Sequence, residues 1–110
     1  MTVTASSKTA GTATIENNSS GQKVSHSFSN EGSEGDLCET NAEWIIEDFE
    51  EGSSMVEFAD FGTVTFTGAS AISGGSSVGL SGATIIDIQQ NGNTLTDCSA
   101  SGSSVTCKYV

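Results

Sequence analysis

Apolar and polar positions alternate in short runs along this chain. In Lys23–Ser29, Val24, His26 and Phe28 fall on one side and Ser25 and Ser27 on the other. A period of two is the mark of a strand with one face toward a core. Thr2–Ala5 and Thr12–Glu16 alternate in the same way and are rich in β-branched residues. Val56–Phe61, Thr63–Thr67, Ala83–Gln90, Thr94–Cys98 and Val105–Tyr109 read as further strands. Asn91-Gly92 is the strongest hairpin signal in the chain, because both residues accept the positive φ of a tight turn. Ser29–Asp36 is a polar loop, and the Ser/Gly-rich stretch 70–82 has room for a short strand around Val78. Some eight to ten short strands at such spacings predict an all-β, antiparallel sandwich or barrel.

One stretch departs from this pattern. NAEWIIEDFE, residues 41–50, brings Glu43, Glu47, Asp48 and Glu50 together with Trp44, Ile45, Ile46 and Phe49. Local preference favours a helix, with Ile45 and Phe49 at i, i+4. The segment is too short to hold a helix alone, and its neighbours are strands. The pattern therefore predicts a strand over 42–50, with Trp44, Ile46, Asp48 and Glu50 on one face. Glu43, Ile45, Glu47 and Phe49 occupy the other. Trp44 and Ile46 make the natural core face. Glu47 sits between two apolar neighbours, where desolvation would favour its neutral form. An exposed strand carboxylate is the plainer reading of the same pattern.

Composition narrows the partners. The chain has 110 residues, enough for one domain with a modest core. Three Lys and no Arg face fourteen Asp and Glu, for a net charge of −11. Neither nucleic acid nor an anionic membrane surface is expected to bind it. No apolar run is long enough to span a bilayer as a helix. No charged, then apolar, then small-residue leader opens the chain. In acid the net charge shrinks in magnitude to about +5, so self-repulsion weakens there. That balance suits a protein working in acidic medium.

Candidate chemistry is sparse. The single His and three Cys form no zinc pattern, and NEGSEGD lacks the spacing of a calcium loop, so neither metal nor cofactor is expected. Cys98 and Cys107 flank CSASGSSVTC, and a hairpin there would place them face to face for a disulfide. Cys38 is then odd: its partner lies elsewhere, or it is a buried free thiol. Two overlapping Asn-x-Ser triplets make Asn17 and Asn18 candidates for glycosylation in a turn-like stretch. There is no proline, so Gly, Asn and Ser must make the turns.

Four segments together resemble a known family: TATIENNSSGQKVSHSFSN, LCETNAEWIIEDFEEG, FADFGTVTFT and TDCSASGSSVTCKYV. In order, they look like the C-terminal half of the fungal glutamic peptidases, the eqolisins. The resemblance covers essentially all 110 residues. It implies a concanavalin-like β-sandwich of two curved antiparallel sheets, here an incomplete half, with residues 1–110 the C-terminal part of one peptidase domain. It implies a secreted, acid-active endopeptidase that acts on polypeptides with one Glu and one Gln and no metal. The family glutamate matches Glu47, the residue that closes EWIIE, and not Glu43 or Asp48. A carboxyl group there activates water and then protonates the leaving amine, while the glutamine amide steadies the oxyanion.

The family glutamine belongs to the N-terminal half, and Gln22, Gln89 and Gln90 stand in no matching context. The resemblance also pairs Cys38 with a cysteine of that half and Cys98 with Cys107. The expectation is a chain that needs the other half for activity and is otherwise monomeric. Two alternatives stand beside it. One is a non-catalytic sandwich module, since fold does not fix function. The other is an inactive truncated product with open strand edges.

Overall fold

A computed structural model describes residues 1–110, the side chain of Glu34 excepted. The chain is all-β and antiparallel, as the alternation predicts, and divides into two compact units, Met1–Asn41 and Ala42–Val110.

The first unit is one sheet of three strands in sequence order: β1 (Thr2–Ser7), β2 (Ala10–Asn17) and β3 (Gln22–Phe28). Its register places Val3 opposite Ala13, Ala13 opposite His26, and Ile15 opposite Val24. Strand parity then gathers Val3, Ala13, Ile15, Val24, His26 and Phe28 on one face. Thr2, Thr4, Thr12, Thr14, Ser25 and Ser27 fall on the other, where Thr14 and Ser25 share a hydroxyl bond of 2.9 Å. Within this unit nothing packs over the apolar face among the described residues: Val3 is 72% and Val24 71% exposed. At the crossing of β1 and β2, a Cβ on Gly11 would lie 2.6 Å from the Thr4 carbonyl oxygen, so no larger residue fits. Beyond β3 the expected polar loop forms a short 3-10 turn, Glu31–Glu34. It is tied back by Glu31 N donating to Thr9 O and Leu37 N donating to Lys8 O.

The second unit is built from hairpins. They are β4 (Glu50–Glu51) with β5 (Ser54–Met55), β7 (Ala71–Ser73) with β8 (Ser76–Val78), β9 (Gln89–Gln90) with β10 (Asn93–Thr94), and β11 (Thr96–Ser101) with β12 (Ser104–Tyr109). β6 (Thr63–Phe66) pairs with β12 to complete a three-stranded sheet. Asn91 and Gly92 have φ of 53° and 80°, the primed turn their identities demand. Gly102 has φ 58° at the first turn position between β11 and β12.

Register separates the faces of the β11–β12–β6 sheet. Thr96, Cys98, Val105, Cys107, Val64 and Phe66 share the inner side. Asp97, Ser99, Thr106, Lys108, Thr63 and Thr65 share the outer, where Thr65 and Thr106 are bridged through their hydroxyls at 3.0 Å. Over the inner side Val105 packs with Ala69 and Leu80, all buried, and Trp44 and Phe66 close the cluster from the edge.

Two expected strands form only in part and a third does not form. Of 42–50 only Glu50 enters a ladder, of Ala83–Gln90 only Gln89 and Gln90, and Val56–Phe61 lies outside every ladder. A ladder needs a neighbour's amides and carbonyls in register, and among the described residues these segments find none. The core is correspondingly small, with four buried apolar residues among those described.

Candidate active site

The acidic stretch 41–50 keeps the two-sided character of a strand without the ladder. Trp44, Ile46 and Asp48 are half-buried, while Ile45, Glu47 and Phe49 are exposed. Trp44 packs on the core cluster. The segment then turns back on itself. Glu50 pairs with Met55, Glu51 pairs with Ser54, and Val56 N donates to Phe49 O at 3.1 Å. Gly52, φ 67°, makes this return possible.

Glu47 follows the half-buried Ile46 on an open face. Its neighbours Ile45 and Phe49 are 60% and 54% exposed and do not enclose it. A groove of about 270 Å³ runs beside it, lined by Ile46, Glu47, Asp48, Phe49, Val56 and Phe58 among others. Behind the groove Phe58 stacks on Tyr109 with centroids 6.0 Å apart. Phe61 meets both rings edge-on, at 5.8 and 6.2 Å. This aromatic cluster fixes the wall of the groove at the end of β12, where Tyr109 N donates to Gly62 O at 2.9 Å.

The Glu47 side chain is open to solvent on this face. No glutamine lines the groove. Gln89 and Gln90 belong to the β9–β10 hairpin, and Gln22 lies in the other unit, bonded through its backbone N to Ser20 Oγ. Among the described residues no group of three or more His, Cys, Asp and Glu gathers at a metal-binding separation.

Cys98 and Cys107 are directly paired in the β11–β12 register and are bonded to each other, with Cα atoms 4.1 Å apart. Cys38 is an exposed free thiol, not a buried one. Asn17 ends β2 and Asn18 opens the following turn, both exposed.

One functional-looking cluster was invisible in the sequence. Asp87 Oδ1 accepts from Cys98 N at 2.8 Å and from Thr96 Oγ1 at 3.2 Å, while Thr96 Oγ1 accepts from Ile88 N at 2.8 Å. This ties the segment before β9 to β11, next to the disulfide. The only sequence trace is a lone carboxylate in the apolar run ATIIDI.

The profile of the Peptidase A4 family matches residues 1–109. Aspergillopepsin-2 of Aspergillus niger is 63% identical over 110 residues, all of this chain and 39% of its own length. Scytalidopepsin B of Scytalidium lignicola is 54% identical, again over the whole chain and over 45% of its own length. The crystal structure of aspergilloglutamic peptidase from Aspergillus niger superposes with a TM-score of 0.92 at 63% identity. That match covers 99% of this chain and 64% of the solved one. The chain thus spans less than half the length of the curated relatives it matches.

Proposed function

The chain belongs to the Peptidase A4 family, and on that premise we propose that it is one part of an acid-active glutamic-type endopeptidase. In this reading residues 1–110 are the C-terminal part of a single peptidase domain, and Glu47 is its general acid and base. The Glu47 carboxylate takes a proton from water as the water oxygen attacks the peptide carbonyl carbon. It then passes that proton to the amide nitrogen, and the C–N bond breaks. A glutamine amide from a further polypeptide segment donates to the oxyanion. The substrate is a polypeptide, the location extracellular, and the assembled protein otherwise a monomer.

The observation that carries this reading is the 63% identity over the whole chain to an enzyme of which it spans 39%. The uncovered surface supports the need for a further segment. The apolar face of β1–β3 is open, and residues 42–49 and 83–88 lack ladder partners. Strands from another segment would satisfy all of these at once.

The test pairs the chain with the N-terminal segment of a relative and follows peptide release from a denatured protein in acid. The chain alone is expected to be nearly inactive, the pair active, and the pair carrying Glu47→Gln inactive. Activity of the chain alone that vanishes in Glu47→Gln would refute the need for a second segment. Activity of the pair that survives Glu47→Gln would refute the role of that carboxyl group.

A further inference from the structure

The turn joining β2 to β3 carries two glycan acceptor triplets that overlap, Asn17-Asn18-Ser19 and Asn18-Ser19-Ser20. The fold treats their two asparagines differently. Asn17 is the last residue of β2 and pairs in register with Gln22. Its side-chain Oδ1 accepts from Ser19 N at 3.0 Å and from Ser20 N at 3.3 Å. Its backbone oxygen accepts from Gly21 N at 2.8 Å. Ser20 and Gln22 complete the turn through two further bonds, of 3.3 and 3.4 Å. The Asn17 carboxamide is therefore part of what shapes the turn. Asn18 sits at the tip, exposed, and among the described residues nothing bonds its side chain.

We infer that Asn18, and not Asn17, is the N-glycosylation acceptor of this chain. Transfer requires the asparagine Nδ2 to attack C1 of a lipid-linked oligosaccharide diphosphate. The Nδ2–C1 bond forms and the C1–O bond breaks. The diphosphate leaves with the electron pair, and Nδ2 gives up one proton to a base. Asn18 can present Nδ2 with the turn intact. The Asn17 carboxamide is held in one orientation by the two backbone amides on its Oδ1, so turning its Nδ2 toward an incoming C1 would strain both bonds. Every residue from Asn17 to Phe28 is exposed, so a bulky hydrophilic adduct at the tip displaces no packed side chain.

The inference rests on the extracellular location proposed above and is independent of the chemistry at Glu47. The test expresses the whole chain behind a secretion leader in yeast and collects it from both the medium and the secretory membranes. Enzymatic deglycosylation in heavy-oxygen water then converts each glycosylated asparagine into a labelled aspartate, located by peptide mass spectrometry. The label is expected on residue 18 alone, lost in Ser20→Ala and kept in Ser19→Ala. Label on residue 17, label surviving Ser20→Ala, or unlabelled chain in both fractions would overturn the inference. Labelled chain found only in the membranes would count against the extracellular location and leave the acceptor assignment standing.

Discussion

Thr96 donates its hydroxyl to Asp87 Oδ1 at 3.2 Å, and the same oxygen accepts the amide of Cys98 at 2.8 Å. Thr96 is 1% exposed and also accepts from Ile88 N, so its one hydroxyl joins two segments that share no ladder there. Thr96→Val keeps the shape and removes the hydroxyl. It is expected to cost about 1–3 kcal/mol, because a backbone amide loses its buried partner. Thr96→Ser should cost far less. Urea midpoints of the two variants, compared with the parent, check this.

The Cys98–Cys107 bond closes a short loop, nine residues apart in sequence. Replacing both with Ala is expected to cost about 2–3 kcal/mol through the freed unfolded chain. Melting with and without reductant reads the same quantity. Thiol titration of the unfolded, unreduced chain should find Cys38 alone.

Glu47→Gln should leave stability within about 0.5 kcal/mol of the parent, since the side chain is exposed and holds nothing in place. A matching urea midpoint beside a lost activity of the paired protein would separate a chemical role from a structural one.

Gly92→Ala forces a side chain into φ 80° and is expected to cost about 1–2 kcal/mol. Asn91→Gly should be nearly neutral, because glycine accepts the φ of 53° found there. Thermal midpoints of the two variants decide it.

The open face of β1–β3 should make the isolated chain bind a hydrophobic dye and associate with rising concentration. Val3→Thr with Val24→Thr is expected to reduce both without loss of strand content. Dye fluorescence and sedimentation at several concentrations provide the readout.

Much of this was legible beforehand where the signal was local. Alternation at Lys23–Ser29 placed β3, and Asn91-Gly92 placed a turn with the φ values it needs. The facing positions of Cys98 and Cys107 followed from a hairpin. The two-sidedness of 42–50 was also readable, since it depends only on side-chain parity. The missing ladders over 42–49, 56–61 and 83–88 were not, because pairing depends on a neighbour that alternation cannot reveal. The Asp87–Thr96–Cys98 cluster escaped for a similar reason. Its members are ordinary residues nine and eleven positions apart, brought together only by the fold.

Among the described strands, β6 with β12 is the one pairing that does not join neighbours in sequence, and its Thr65–Thr106 bridge spans 41 residues. Every other pair is a hairpin that can close within about 1–10 μs. Bringing β6 to β12 must first overcome the loop entropy of the intervening chain, which local contacts do not repay. Refolding of the second unit should therefore wait on β6. In stopped-flow measurements, Val64→Ala is expected to slow refolding, while changes at the Asn91-Gly92 turn act mainly on the unfolding rate.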